Sequence, residues 1–186
     1  MSKENIGAIM SNFSVVLFLS FAVFCIYADH AVKVEKAEIE TVDKDYLTIA
    51  VKVRQEGDKS LIDVDSDLLQ DLNDDVFMQI HIEKKTNGAF STLYKSEVIN
   101  RCHFTDNRDK YPIEKALTDD FNKYGNLLQN CPIKKGHYYL KGFQFEPRDI
   151  IAEKIMSGEF CVHFLMMKEV NTQMKTLFSI KWYATV

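Results

Sequence analysis

From Tyr46 onward the chain alternates apolar and polar residues with a period of two, the pattern of strands that bury one face. Tyr46 to Arg54 places Leu47, Ile49, Val51 and Val53 on one side and Thr48, Lys52 and Arg54 on the other. Val76 to Glu83 repeats the scheme with Val76, Met78, Ile80 and Ile82 inward. Asn87-Gly88 then supplies a turn pair that hairpins prefer, leading into Phe90 to Ile99. Gly136 to Phe145, Glu159 to Lys168 and Thr176 to Ala184 follow, the last two joined through the polar stretch Glu169 to Lys175 as another antiparallel pair. Between Cys102 and Cys131 the period becomes helical, with Ile113, Ala116, Leu117, Phe121 and Tyr124 on one face, Pro112 in the first turn and Gly125 as a stop. About seven short strands and one short helix predict a mainly β protein, an antiparallel β-sandwich or cup. A parallel α/β fold would need more helices.

Two segments carry more apolar surface than a strand with one wet face requires. Phe160 to Met167 is almost wholly apolar, and Leu177 to Ala184 sets Phe178, Ile180 and Trp182 opposite Leu177 and Tyr183. That excess has to meet the helix, a partner chain or a ligand. Strand phase gives the candidate walls of a cavity between two sheets: Val76, Met78, Ile80, Phe143, Phe145, Phe160, Val162 and Phe164. The same side chains would also fill an ordinary core, each contributing about 1.5 to 3 kcal/mol by burial.

The N-terminus changes the setting. Phe13 to Ala28 is an apolar run too short for a comfortable membrane span, and it ends at a small residue directly before the charged stretch Asp29 to Lys36. Residues 1–28 are therefore expected to be a signal peptide and residues 29–186 one secreted, extracellular domain. The net charge of −4 is too mild to imply a nucleic-acid partner. Of the four cysteines, Cys25 would leave with the signal, and Cys102 with Cys131 is the expected disulfide because it closes the helix-bearing loop. Cys161, inside a strand pattern, reads as a small buried apolar residue.

Catalytic arrangements are absent from the sequence. There is no Gly-x-Ser-x-Gly, His-Glu-x-x-His or Cys-x-x-Cys and no phosphate-cradling glycine loop, so no enzyme, cofactor or metal is expected. His30, His81, His103, His137 and His163 are scattered singly. Asp63, Asp65, Asp67, Asp71 and Asp74 imitate a calcium loop, but Leu68 stands where its sharp turn needs glycine and Asp74 where a bidentate glutamate usually closes it. A solvated acidic strand or loop is the better reading. Lys134, Lys135, His137 and Lys141 form a basic run that reads as a charged turn, or as the mouth of a cavity facing an anionic head group.

One stretch carries a family resemblance. Asn100-x-Cys102-x-Phe104, a helix, Tyr124-x-Asn126-Leu127 and then Cys131-Pro132-x-x-Lys135-Gly136-x-Tyr138-Tyr139 resemble a family of small secreted insect proteins, abundant in flies, known as a domain of unknown function. Lys84-Lys85-x-Asn87-Gly88 and Gly158-Glu159-Phe160 fit the same pattern. That family is similar to the ML lipid-recognition superfamily, which includes the ganglioside activator. The resemblance implies an ML or immunoglobulin-like β-cup whose sheets part to admit acyl chains, a Cys102–Cys131 bridge, a non-enzymatic role and work in chemosensation. The first expectation is thus a secreted binding protein for lipid or another small apolar ligand. The alternative is an extracellular protein-interaction module with a solid core, docking a protein partner or receptor through Cys161, Leu165 and Met167.

Overall fold

Antiparallel pairing organises the chain from its first described strand to its last. The computed structural model describes residues 32–119, 121–127, 131–145 and 157–186. The expected signal peptide and its cleavage point, and His30, lie outside them. The strands are β1 (Lys33–Val42), β2 (Leu47–Glu56), β3 (Lys59–Leu68), β4 (Val76–Thr86), β5 (Ala89–Lys95), β6 (Ile99–Asn100), β7 (Gly136–Phe143), β8 (Glu159–Val170) and β9 (Gln173–Thr185). They form a large sheet in the order β1-β9-β8-β4-β5, with β6 also on β4, and a small sheet β2-β3-β7. The mainly β, sandwich-like architecture expected from periodicity is what the chain adopts.

The two strands not singled out by apolar alternation are β1 and β3, and each has a physical reason. Only Val34 of β1 is fully buried, because the strand is the edge of the large sheet and shows most of its residues to water. On β3 the buried set is Ser60, Ile62, Val64, Ser66 and Leu68, so two serines dilute the apolar face. Both serines are used. Ser60 Oγ accepts from Val34 N–H at 3.0 Å and donates to Gln55 at 3.0 Å, while Ser66 Oγ donates to the Thr48 carbonyl at 2.8 Å.

The opposite face of β3 explains the imitation of a calcium loop. Asp63, Asp65 and Asp67 alternate outward between basic side chains on both neighbouring strands. Arg54 of β2 meets Asp63 at 2.8 Å, and from β7 Lys141 meets Asp65 at 3.0 Å and His137 meets Asp67 at 2.9 Å. The hydrogen bonds from Arg54 and Lys141 hold the Asp63 and Asp65 carboxyls below their ordinary pKa. Among the described residues no acidic or histidine cluster could hold a metal ion.

Three tight turns use left-handed backbone. Asn87 (φ 55°) and Gly88 (φ 84°) make the expected β4–β5 hairpin turn, and Gly57 (φ 65°) serves β2–β3. Asn171 (φ 50°) and Thr172 (φ 64°) join β8 to β9, where a β-branched residue sits in a region that glycine enters at no steric cost.

The helical stretch expected between the cysteines is present but divided. It comprises α1 (Arg101–Asp106), a short 3-10 turn at Arg108–Lys110, α2 (Pro112–Thr118) and α3 (Phe121–Tyr124). The Asn100 carboxamide caps α1 by accepting from the N–H groups of Cys102 (2.9 Å) and His103 (3.1 Å). Pro112 opens α2 as its spacing predicts. The Thr118 hydroxyl donates back to the Glu114 carbonyl at 2.8 Å, a local bond that competes with helix continuation. Leu117 and Phe121 are still buried, as the helical face requires. Gly125 ends the stretch for a different reason from the one expected. Its φ is not positive; instead it bridges to Leu140, and a Cβ there would lie 1.8 Å from the Tyr139 carbonyl oxygen.

Cys102 and Cys131 form the disulfide, 29 residues apart, and Cys161 is a buried free thiol. On loop entropy alone the bridge stabilises the fold by about 3.5 kcal/mol.

Candidate functional site

A cavity of about 140 Å³ lies between the two sheets. The small sheet contributes Leu47 and Ile49 from β2, Val64, Ser66 and Leu68 from β3, and Tyr138 and Leu140 from β7. Opposite them stand Met78 and Ile80 of β4, Val162, Phe164 and Met166 of β8, and Leu177, Phe178, Ile180 and Trp182 of β9. The helical stretch supplies Arg101, Leu117, Thr118 and Phe121.

Burial along β8 reports the same space independently. Val162, Phe164 and Met166 point between the sheets from a strand flanked on both sides, yet each is only partly buried, whereas the alternate residue Cys161 is 2% exposed. Phe178 on β9 behaves likewise. In a filled sandwich these central positions would be its most buried side chains. Their remaining surface faces the cavity.

Strand phase therefore located one wall in part. Met78, Ile80, Val162 and Phe164 line the cavity, while Val76, Phe143, Phe145 and Phe160 do not. Val76 has the right phase but sits at one end, packed with Leu47, Leu68, Leu72 and Leu177. Phe160 is similarly beyond the other end, packed with Ile80, Ile82 and Leu117. Phe143 and Phe145 lie outside the lining, although Phe143 does turn inward. Register slips between Ile62↔Phe143 and Val64↔Leu140, with Gly142 at φ 67°, so Leu140 and Phe143 both turn inward instead of alternating. Leu140 then faces the cavity, and Phe143 joins an aromatic group with Phe121 (5.0 Å), Tyr124 (5.5 Å) and Phe145 (4.9 Å). Leu177 enters through a second slip, between Met166↔Phe178 and Met167↔Thr176, which leaves it unpaired and inward.

The polar groups of the lining are few. Besides Ser66, the Tyr138 hydroxyl donates to the Lys134 carbonyl, and burial raises its pKa. The Thr118 hydroxyl is spent on Glu114 and also accepts from Arg108 at 3.1 Å. Arg101, 3% exposed, donates to the Thr105 hydroxyl, and burial with the nearby Arg108 charge lowers its pKa to about 10. No signal in the sequence marked Arg101, since a cation at a helix start normally reads as surface. The basic run lies outside the cavity lining, with Lys134 bound to Asp71 at 2.8 Å.

The excess apolar surface on the other side of β8 is covered within the chain. Cys161 is 2% and Met167 8% exposed, and only Leu165 of the three is intermediate. On this face His81 and His163 meet edge to face at 5.7 Å, and His163 Nε2 lies 3.2 Å from Glu40. Both imidazoles have lowered pKa values, chiefly from burial.

Fold and interior define an antiparallel β-sandwich with an apolar cavity. Residues 78–162 match the family described as protein of unknown function DUF1091, which bears out the resemblance carried by the segment from Asn100 to Tyr139. The chain is also similar to a solved structure, chicken MD-1 complexed with lipid IVa, at 13% identity and a TM-score of 0.35, over 83% of this chain and 96% of that one. No curated protein matches. Among the described residues no helix is long and apolar enough to cross a membrane.

Proposed function

We propose that this protein is a secreted, non-enzymatic carrier or presenter of a small apolar molecule or lipid, which it holds between its two sheets, and that it serves chemical sensing. The observation that carries this reading is the cavity of about 140 Å³ lined almost wholly by Leu, Ile, Val, Met and Phe. At about 24 cal/mol per Å³ such a space withholds about 3 kcal/mol from the fold. Water would recover little of it, because a buried water needs two to four polar partners and Ser66, Arg101, Thr118 and Tyr138 each already donate within the protein. An apolar guest recovers about 0.8 kcal/mol for each methylene it buries. A cavity of about 150 Å³ takes a guest the size of benzene, so the closed form suits a ring or a short chain. Longer acyl chains would require the sheets or helices to part. The disulfide supports export to an oxidising compartment.

Native mass spectrometry of protein secreted from a eukaryotic host, followed by organic extraction, tests the proposal. Stoichiometric adducts that disappear on extraction are the expected result and name the ligand class. A clean apo mass, unchanged after incubation with a panel of lipids, alcohols and hydrocarbons, overturns it.

A further inference from the structure

The large sheet ends, at β5, in an edge that lacks the defences of the others. The sheets are bounded by β1 and β5 on the large one and by β2 and β7 on the small. An open strand edge invites pairing with another chain, and charged side chains deter it. β1 carries Lys33, Glu35, Lys36, Glu38 and Glu40, β2 carries Lys52, Arg54 and Glu56, and β7 carries Lys141 and is interrupted at Gly142. From Ala89 to Tyr94, by contrast, β5 has neither charge nor proline, and its Phe90 and Leu93 are 37% and 49% exposed. Among the described residues β5 pairs with β4 alone.

We propose that β5 is a dimerisation edge, which pairs antiparallel with β5 of a second copy about a twofold axis at Ser91 and so joins the two large sheets into one. Backbone register argues for this occupant. The Asn87-Gly88 turn closes on the pair Thr86↔Ala89, and the pairs of an antiparallel ladder then alternate, so the N–H and C=O groups of Phe90 and Thr92 point away from β4. With Ser91 on the axis, Phe90 of each copy falls opposite Thr92 of the other, and these outward groups meet in reciprocal hydrogen bonds. Charge fits the same arrangement. Lys95 is the one charge on β5, and the twofold places it at opposite ends of the new pair, so no like charges face each other. The Phe90 ring is already held edge to face on Tyr183 at 5.9 Å, which gives the joined strands a fixed apolar surface to extend. Pairing consumes β5 of both copies and the remaining edges are charged, so the assembly closes at two chains. No residue of β5 lines the cavity, and whatever the cavity holds is left untouched.

Sedimentation velocity of the full secreted protein tests this. The wild type should pass from monomer to dimer between about 1 and 100 µM, the range of a small interface, and grow no further. Thr92→Pro removes an outward N–H and leaves the ladder to β4 intact, so it should stay monomeric with an unchanged far-UV circular dichroism spectrum. Thr92→Lys stands in if the proline variant does not fold. It faces Glu83 on β4 but sets two like charges diagonally across the axis, and should weaken the dimer more than about tenfold. Ser91→Cys should cross-link the dimer under mild oxidation, because directly opposed residues of a pair without mutual hydrogen bonds lie within disulfide reach, and Leu93→Cys should not. A wild type still monomeric at about 100 µM, growth beyond two chains, a dimer indifferent to both changes at Thr92, or one cross-linked through Leu93→Cys and not through Ser91→Cys overturns the proposal.

Discussion

Filling the cavity should do the opposite of what overpacking normally does. Val162 stands on β8 between Ile82 and Trp182 in register and borders the cavity. In a filled interior, replacing it with phenylalanine would force strained rotamers and cost about 1 to 3 kcal/mol. Here the four added carbons enter open space, and at about 0.8 kcal/mol per buried carbon they could return at most about 3 kcal/mol. The cavity withholds about the same amount by volume, so the two estimates set one ceiling. With some strain deducted, Val162→Phe should be neutral to about 2 kcal/mol stabilising. Urea unfolding of ligand-free protein reads this directly, since a slope of about 2 kcal/mol per molar turns the gain into a midpoint rise of up to about 1 M. The same variant should lose the extractable adducts expected in native mass spectrometry. A midpoint that falls by the equivalent of more than about 1 kcal/mol at unchanged slope would show that the space beside Val162 is already occupied.

Three further outcomes follow from particular contacts. Thr172→Gly removes a β-branched residue from φ 64° in the β8–β9 turn and should stabilise by about 1 kcal/mol, seen in the urea midpoint; no gain would mean that the turn carries no strain. Gly125→Ala drives a methyl to 1.8 Å from the Tyr139 carbonyl oxygen and should destabilise by more than about 2 kcal/mol, so a thermally neutral variant would contradict the close approach of α3 to β7. His81 and His163 have folded pKa values below 6.5, lowered by burial, with Lys95 adding at His81 and Lys181 opposing Glu40 at His163. The unfolded chain therefore takes up protons first. The stability these residues confer is complete above pH 6.5 and lost as pH falls through the folded values. Replacing both with glutamine should flatten that part of the stability profile between about pH 7 and pH 5, and an unchanged slope would count against buried neutral imidazoles.

How much of this was legible depends on whether a residue's neighbours were regular. Leu47 to Arg54 and Val76 to Glu83 were read correctly because an unbroken pleat makes phase and burial the same thing. Phe143 and Phe145 border an aromatic group with Phe121, Tyr124 and Trp182 and not the cavity, and the slip at Gly142 that turns Leu140 and Phe143 both inward cannot be seen in the alternation. The acidic residues of β3 do lie on the outer face of a strand, yet the inner face of that strand was blurred by serines whose partners, Val34 and Thr48, are remote in sequence. Arg101 was invisible for a related reason. Sequence reveals that a residue is charged; only the meeting of α1 with two sheets reveals that this charge faces inward.

The two long sides of the sandwich are closed by different means. Along one, β1 is stitched to the small sheet by Ser60 and Gln55, which bind the Val34 backbone at 3.0 and 2.8 Å. Helices α1 to α3 serve the other side, two of them six residues or fewer, with side-chain packing and one disulfide in place of a ladder. The protein is like a book bound along its spine and held at the fore-edge by a clasp. Opening it by lifting the clasp breaks the bridge from Gly125 to Leu140 and no ladder of either sheet, so the lifetime of a bound molecule would follow the local stability of three short helices, and the sheets could remain rigid throughout a cycle of loading and release.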